Sequence, residues 1–375
     1  MNQILKEILL DILMDYYIIK DDWLIINNLP DEFKLPDGFT KIRFTHSFNK
    51  PIDKLPDGIT HLTLGEKFNQ PIDSLPLTIT HLDLSQGNDF NQPINNLPSS
   101  ITHLTFGNNF NQPIDNLPSS VTYLSLGYGF NQPIDNLPLG ITYLDLGDEF
   151  NQPLDNLPST LIHLILNLGC EFNHPIDNLP STLIYLNLGD KFDQPINNLP
   201  LSITHLTLSY HFNQPVDNLP SSITHLTLGY LFNQPIDNLP STLTHLELDG
   251  HFNQPIDNLP RYLKHLTLSY YFNQPIDNLP PTLTHLKSVG EFNQPIDNLP
   301  STLTHLELDG NFNQPIDNLP TGITHLTLGE SFNQPINNLP LTIICLSLNK
   351  KYNQTIPNQW KIYRIDYYQI IYHKN

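Results

Sequence analysis

The chain contains no alanine, and its 17 basic residues are outnumbered by 37 acidic ones. Alanine is the strongest helix former and proline the poorest, so a sequence with no alanine and 34 prolines is not that of a helical repeat array. The net charge of −20 argues against nucleic acid as a partner, because phosphate binding depends on clustered lysine and arginine. The same charge disfavours binding to an anionic membrane surface.

Only two cysteines are present, Cys170 and Cys345. Strands in a stack are ~4.8 Å apart, which places the two residues on the order of 40 Å from each other, far beyond the ~7 Å Cα limit for a disulfide. We therefore expect free thiols and a cytoplasmic location. Asp11 and Asp15 interrupt the apolar N-terminus, so no signal peptide is expected. No run reaches the ~18 apolar residues of a membrane span.

Catalytic and nucleotide-binding motifs are absent as well. The sequence has no HExxH, GxGxxG or GxxxxGK pattern and no nucleophile elbow. We therefore expect a protein that is not an enzyme and that uses neither a cofactor nor a metal.

What the sequence does contain is one repeat of about 20 residues with the core FNQPIDNLP, present about fifteen times. Two of the spacings between anchor residues are 22 residues instead of 20. In both cases the two extra residues lie at the same place in the unit, within 85–89 and 167–171, which is typical of a loop that can bulge. Its anchor residue is Phe48, Phe68, Phe90, Phe110, Phe130, Phe150, Phe172, Phe192, Phe212, Phe232, Phe252, Phe272, Phe292, Phe312 and Phe332.

One unit, Ile223 to Thr242, shows what the repeat is expected to build. Its first six residues end in alternating apolar residues, Leu226 and Leu228, which predicts a short strand. Pro235 and Pro240 remove amide donors that a helix would need, so the return path is expected to be extended or 3-10-like. The apolar residues predicted to point inward are Ile223, Leu226, Leu228, Phe232, Ile236 and Leu239.

Two polar positions recur in the unit. The asparagine after the phenylalanine, as in Asn233, is expected to form a buried ladder that satisfies loop backbone groups, and Gln234 is expected to act likewise. The aspartate of PIDN, as in Asp237, is present in twelve units and replaced by Asn in three. Stacked carboxylates resemble a calcium ladder, but their exchange with Asn favours local bonding within the turn.

The string [IL]-T-H-L-x-L with a downstream L-P resembles the LxxLxL strand of leucine-rich repeats. Together with FNQPIDNLP it more specifically resembles the FNIP repeats of social amoebae and giant DNA viruses, over residues 39–357. The resemblance implies a right-handed curved solenoid with short parallel strands on its concave face and no assigned chemistry. The sequence departs from these patterns in two ways. Asn follows the Phe, two places later than in a standard leucine-rich repeat. Ser288 replaces a strand leucine, which is expected to weaken that repeat.

The two ends differ from the repeats, which predicts three domains: residues 1–38, 39–357 and 358–375. An amphipathic helix and a strand, Trp23–Ile26, are expected to cap the first coil. The aromatic segment Trp360–Tyr372 is expected to cap the last one.

The N-terminal segment has a second interpretation. Relatives in the family often join an F-box to these repeats, and Leu5–Leu13 resembles its first helix. An F-box needs roughly three helices, however, and about 30 residues cannot supply them.

The residue before the first strand leucine forms another row, which strand alternation places on the outward face. Rings ~4.8 Å apart can stack, and stacking is the favoured interpretation. A pH-responsive row and a metal-binding row are alternatives, although a flat row offers no tetrahedral closure. The row consists of His61, His81, His103, Tyr123, Tyr143, His163, Tyr185, His205, His225, His245, His265, His285, His305 and His325.

Comparing the units with one another shows where the sequence varies. The residue between the strand leucines changes most, and aromatic residues precede several of the phenylalanines. Surface variation on a rigid frame is how repeat proteins tune recognition, and tyrosine is favoured at interfaces. The predicted binding surface therefore contains Tyr210, His225, Thr227, Tyr230, His245, Glu247, His265, Thr267, Tyr270 and Tyr271.

These patterns favour a monomeric protein-interaction scaffold with an unidentified protein partner. The first alternative is the substrate-recognition subunit of an F-box-type ubiquitin ligase with a truncated F-box. The second is a passive or decaying repeat array without a specific partner.

Overall fold

The computed structural model describes residues 17–27, 35, 38–87, 89–167, 169–366 and 368–374. The chain divides into two units, Met1–Gly189 and Asp190–Asn375, and each is a solenoid of stacked β-coils. Every regular element among the described residues is a strand. The predicted N-terminal helix, and with it the F-box interpretation, falls mainly on residues 1–16, which lie outside the described residues.

The first unit begins with an antiparallel pair and continues as a parallel stack. Its strands are β1 (Tyr17–Lys20), β2 (Trp23–Ile26), β3 (Lys41–Phe44), β4 (His61–Thr63), β5 (His81–Asp83), β6 (His103–Thr105), β7 (Tyr123–Ser125), β8 (Tyr143–Leu146), β9 (His163–Leu166) and β10 (Tyr185–Leu188). β1 is antiparallel to β2, and each strand from β2 to β10 is parallel to the next. Strand β2 has the bounds that the sequence predicts.

The second unit is a parallel stack that ends in an antiparallel hairpin. Its strands are β11 (His205–Leu208), β12 (His225–Leu228), β13 (His245–Leu248), β14 (His265–Leu268), β15 (His285–Gly290), β16 (His305–Gly310), β17 (His325–Leu328), β18 (Cys345–Asn349), β19 (Trp360–Ile365) and β20 (Gln369–Lys374). Strands β11 to β18 are parallel neighbours in chain order. The hairpin β19–β20 lies against the last coil because β20 pairs antiparallel with β18.

The register between coils is offset by one whole repeat, so identical positions lie side by side. Leu226 pairs with Leu246, and His225 pairs with His245. The strand begins at His225, two residues later than the sequence predicts. The residue before it, Thr224, still donates its backbone N–H to the carbonyl of Thr204 at 2.9 Å, which extends the bonding between coils beyond the strand.

The core of each coil is the apolar set that the sequence predicts. In the coil from 223 to 242 the residues Ile223, Leu226, Leu228, Phe232, Ile236 and Leu239 are all buried. Phenylalanines of neighbouring coils stack, with the ring centroids of Phe232 and Phe252 6.0 Å apart. Burial of a large apolar side chain contributes roughly 1.5–3 kcal/mol, and here it requires a coil on each side.

The return segment is extended and contains tight turns. The backbone N–H of Leu243 donates to the carbonyl of Pro240 at 3.0 Å, and the same bond recurs after the LP pair of other coils. Thr242 Oγ1 donates to the carbonyl of Ile223 at 2.9 Å, which ties the last residue of this repeat to its first. The prolines therefore lie where no helical donor is needed, as expected.

The asparagine row forms the predicted ladder, but the expectation that it is buried is wrong. Asn233 Oδ1 accepts the backbone N–H of Asn253 at 2.9 Å and the side-chain amide of Gln254 at 3.2 Å. Asn233 is exposed, since the ladder runs along the edge of the coil. Its bonds satisfy a loop donor of the next coil, as predicted for the Asn and Gln positions.

The aspartate of PIDN does not bond locally, so that interpretation is also wrong. Asp237 Oδ1 accepts the side-chain amide of Asn258 in the following coil at 3.0 Å. The partner is thus 21 residues away in the sequence rather than within the same turn. An Asn at the Asp position offers the same carbonyl-type oxygen, which explains why the two exchange.

Ser288 occupies a leucine position inside the core. It pairs between Leu268 and Leu308 and is 1% exposed. Its hydroxyl is buried without a hydrogen-bond partner. A buried hydroxyl in this state costs about 1–3 kcal/mol, which agrees with the predicted local weakness.

Replacing Ser288 with Leu is expected to raise the free energy of unfolding by about 1–3 kcal/mol, because the unpaired hydroxyl is removed and apolar surface is buried. Urea denaturation followed by circular dichroism measures the change. A matched control is Ser241→Leu, at an exposed position of the return path, where a change within about 0.5 kcal/mol is expected. A Ser288→Leu chain no more stable than the parent would contradict the interpretation.

Candidate functional site

The outward face of the second unit carries an unbroken row of histidines, one from each of seven adjacent strands. The burial pattern of β12 shows why, since Leu226 and Leu228 are buried while His225 and Thr227 lie half-buried on the other face. Neighbouring rings stack with centroids 4.1–4.3 Å apart. We call the following residues the histidine row: His205, His225, His245, His265, His285, His305 and His325.

A threonine hydroxyl fixes most of these imidazoles. Thr224 Oγ1 lies 2.9 Å from Nδ1 of His225 and donates to the carbonyl of Thr204 at 3.2 Å. A hydroxyl has one proton and a carbonyl can only accept, so the imidazole must donate from Nδ1 to Oγ1. The same pair of bonds recurs at His245, His285, His305 and His325. The lone pair of each of these rings therefore lies on Nε2.

Packing in the row favours the neutral imidazole. The pKa of His245 is lowered to about 4, mainly by burial and in smaller part by the neighbouring His225 and His265. Burial is also the main cause that lowers the pKa of His225, His265, His285 and His305. These five imidazoles are accordingly held in the uncharged form at neutral pH.

The first unit has a shorter version of the same row. His61, His81 and His103 stack with centroids 4.1–4.2 Å apart. The row then continues as Tyr123 and Tyr143, which stack at 4.2 Å. Tyrosine and histidine thus occupy one structural position, and both satisfy its stacking geometry.

A second row runs two residues further along the strands. Thr227, Glu247 and Thr267 are neighbours in the register, and all three are at least partly accessible. The row continues with an ion pair between Lys287 and Glu307 at 2.9 Å. The predicted strand-face residues therefore form one continuous polar surface.

The predicted tyrosines meet in the loops that follow the strands. Tyr210 and Tyr230 stack at 4.8 Å, and Tyr270 contacts Tyr271 edge-on at 5.1 Å. His251 lies between the two pairs, 4.9 Å from Tyr230 and 4.8 Å from Tyr271. A hydrogen bond to the Tyr271 side chain raises the pKa of Tyr230. We call these five residues the aromatic cluster.

A cleft of about 560 Å³ adjoins the aromatic cluster at Tyr270. Asp309, Glu330, Asp366 and Tyr368 also line it. Two of its carboxylates are already paired, Glu330 with Lys351 at 3.1 Å and Asp366 with Arg364 at 2.7 Å. Exposed pairs of this kind are weak, so their members can exchange partners.

The cleft is lined by the ends of β15 and β16, which are the longest of the parallel strands in this unit. β15 and β16 continue to Gly290 and Gly310, which pair with each other and have φ of 137° and 76°. A Cβ on Gly310 would lie 2.2 Å from the carbonyl oxygen of Gly290, so a larger residue does not fit. Two coils before β15, Gly250 follows a strand that ends at Leu248.

His251 and the cleft are not among the residues and features predicted from the sequence. His251 could have been found, because it directly precedes Phe252, as Tyr271 precedes Phe272. The carboxylates of the cleft come from different coils and from the terminal hairpin, which no repeat comparison brings together.

Other site types are not found in the described part of the chain. No three His, Cys, Asp or Glu side chains there converge on a point that could hold a metal ion. The described residues also include no helix of the length and apolarity needed to cross a bilayer.

Parallel coils with a leucine strand, a phenylalanine core and an asparagine ladder define a leucine-rich-repeat-like solenoid. The family model described as FNIP Repeat matches residues 48–87, 90–129, 130–169, 172–211, 212–251, 252–287, 292–331 and 312–351. The chain belongs to the FNIP repeat family.

Solved structures agree with this assignment. CroV588, a circular leucine-rich-repeat protein from a giant virus, is 42% identical over 88% of this chain, with a TM-score of 0.76. This chain spans 56% of the length of CroV588. A comparison with curated proteins finds no match.

Two more distant structures share the fold alone. LIC12759 of Leptospira interrogans is 16% identical, with a TM-score of 0.51, and the match covers 84% of this chain and 89% of that one. A chain of the Drosophila Toll–Spatzle complex is 14% identical, with a TM-score of 0.54, and the match covers 88% of this chain and 55% of that one.

Acid is expected to destabilise the fold through the histidine row. Because the folded-state pKa values are lowered, the stabilising effect is complete above the ordinary histidine pKa of about 6.5 and is lost as the pH falls towards about 4. The melting temperature should therefore fall over this range. The charged residues on the same face are Lys264, Glu247, Lys287 and Glu307.

A variant with tyrosine at His225, His245 and His265 separates this effect from carboxylate titration. Tyrosine occupies the same position in the first unit, so the variant is expected to fold. Its melting temperature should fall less steeply with acid than that of the parent. Equal slopes for the two proteins would refute a contribution from the row.

Proposed function

We propose that the protein is a non-enzymatic scaffold that binds a protein partner through its second unit, with the aromatic cluster at the centre of the contact. The observation that carries the proposal is the cluster itself. Tyr210, Tyr270 and Tyr271 are 42%, 52% and 36% exposed although each contacts another aromatic ring. Tyrosines held by their neighbours lose little conformational freedom when a partner binds, and they offer both apolar area and a hydroxyl.

The surroundings of the cluster fit an interface. Tyr270 also lines the cleft, so an aromatic surface leads directly into a concave one. The exposed pairs Glu330–Lys351 and Arg364–Asp366 supply polar groups at its margin. An aromatic centre with a polar rim is the usual composition of a protein interface.

The histidine and threonine–glutamate rows extend the proposed surface over the strands. Thr227, Glu247 and Thr267 offer hydroxyl and carboxylate groups beside the imidazoles. The His–Thr pairs are not arranged for nucleophilic catalysis, because each Thr hydroxyl donates its proton to a backbone carbonyl instead of to the imidazole. The proposal therefore assigns these rows to recognition.

The proposal predicts that replacing Tyr210, Tyr230 and Tyr270 with Ala abolishes retention of the partner in affinity capture from host-cell extract. Loss of an interface tyrosine commonly costs about 2 kcal/mol, so three together should weaken binding by more than a hundredfold. Quantitative mass spectrometry of the captured proteins measures the loss.

The matched control replaces Tyr128 and Tyr262 with Ala, since these tyrosines are 52% and 54% exposed but lie outside the cluster. The control should retain the same proteins as the parent chain. Equal loss in both variants would show that exposed tyrosine in general, rather than the cluster, causes retention. If the parent chain retains nothing that the triple variant does not, binding through the aromatic cluster is contradicted, and a parent that retains no protein at all favours the passive-array alternative.

A further inference from the structure

The cleft beside the aromatic cluster is lined by acidic and aromatic side chains. Asp309, Glu330 and Asp366 place three carboxylates along it, and none of the described residues that line it is basic. Its volume of about 560 Å³ lies within the range of roughly 300–1,000 Å³ that is usual for ligand pockets. A concave surface of this size and charge fits a long, positively charged side chain of a partner.

The basic residues of the chain itself show what these carboxylates bind. Lys351 Nζ lies 3.1 Å from Glu330, and Arg364 Nε lies 2.7 Å from Asp366. The side chains of Lys351 and Arg364 are 74% and 66% exposed, so both ion pairs are screened by water and contribute little. An incoming cation can therefore take the place of either one.

The third carboxylate, that of Asp309, is held in place by the backbone. Its Oδ1 accepts the backbone N–H of Gly310 at 2.7 Å. The same oxygen lies against the next coil, where a Cβ on Gly329 would collide with it. In the described part of the chain no ion pair compensates this carboxylate. Its charge is thus fixed at one position in the cleft.

Two tyrosines make arginine the best-matched cation. Tyr270 and Tyr368 line the same cleft and are 52% and 70% exposed. A guanidinium group is planar, so it stacks on an aromatic ring while its N–H groups bond to a carboxylate. The ammonium group of lysine is a compact, strongly hydrated charge that cannot stack in this way. Within the chain, the guanidinium group of Arg261 lies 5.3 Å from the ring centroid of Tyr262.

We propose that the cleft receives an arginine side chain from an extended basic segment of the protein partner. Tyr270 and Tyr368 flank its guanidinium group. The carboxylate of Asp309 bonds to this group, and that of Glu330 does so in place of Lys351. This inference rests on the proposed function and specifies the chemistry of the partner. The net charge of −20 increases the rate at which a basic segment reaches the chain.

The probe is a fluorescently labelled Gly-Arg-Gly-Arg-Gly peptide, titrated with the full chain at low salt and followed by fluorescence anisotropy. A second peptide has citrulline in place of arginine, which keeps the planar group but removes the charge, and a third has lysine. Binding should be at least about tenfold weaker with citrulline and about threefold weaker with lysine. Equal affinity for the arginine and citrulline peptides would overturn the proposal.

A cleft variant with Asp309→Asn and Tyr368→Ala locates the binding. Asn keeps an oxygen for the N–H of Gly310, so the coil should be preserved, and the variant should bind the arginine peptide at least about tenfold more weakly. The matched control, Asp257→Asn with Tyr262→Ala, loses the same groups at exposed positions that do not line the cleft. Its affinity should remain close to that of the parent. Equal losses in the two variants would show that general charge attraction binds the peptide, which would refute the proposal.

Replacing Lys351 with Met should act in the opposite direction, because it removes the cation that competes for Glu330. The affinity for the arginine peptide should rise about twofold to fivefold. Lys191→Met removes the same charge from an exposed position that does not line the cleft, so it should give a smaller rise. A rise no larger with Lys351→Met than with Lys191→Met would contradict the assigned role of Glu330.

Affinity capture with the cleft variant separates this inference from the proposed function. Host proteins retained by the parent should be lost from the cleft variant, and the arginine peptide should elute them from the parent. If the cleft variant retains them in full, the aromatic cluster binds its partner without the cleft and the inference is wrong. If the parent retains no host protein while the peptide still binds in the cleft, the proposed function fails and the chemistry of the cleft stands.

Discussion

The structure depends on parallel pairing in which each residue lies beside its own counterpart in the next coil. This register follows from the alternation of buried and exposed residues in each strand, since a shift of one residue would turn the leucines outward. Every side chain must therefore tolerate a neighbour like itself at the spacing of adjacent strands. Leucine and phenylalanine meet this condition by packing, and the outward imidazoles meet it by stacking.

Polar residues satisfy the same condition by donating in one direction and accepting in the other. The backbone N–H of Asn253 donates to Oδ1 of Asn233 in the coil before it. Oδ1 of Asn253 in turn accepts the backbone N–H of Asn273 in the coil after it. The aspartate row works similarly with the asparagine that follows it. At these positions the side-chain oxygen of one coil therefore lies opposite a donor from the next coil.

Much of this architecture could be predicted from the sequence because the same pattern of apolar and polar residues recurs in every repeat. The strand leucines, the buried phenylalanines, the stacking histidines and strand β2 all follow from periodicity and alternation. The burial of Asn233 and the partner of Asp237 were predicted wrongly, because a sequence pattern shows which residue recurs but not which coil supplies its partner. The two bonding partners are 20 and 21 residues away.

The candidate site could be predicted only in part, for the same reason. Tyr210, Tyr230, Tyr270 and Tyr271 were recognised because they vary between otherwise uniform units. The adjoining cleft depends on the pairing of Gly290 with Gly310 and on a hairpin that does not belong to the repeat. Features that occur once leave no periodic signal.

The terminal hairpin has a consequence for how the chain reaches its register. The segments Phe232–Gly250 and Phe292–Gly310 are identical over 19 residues, so a growing stack that skips a coil would find equally good leucine and asparagine partners. The antiparallel pairing of β20 with β18 occurs once and fits only the last coil. Such unique contacts distinguish the native strand register from registers shifted by one coil during folding. The uniform repeats do not distinguish these registers, because each coil offers the same partners.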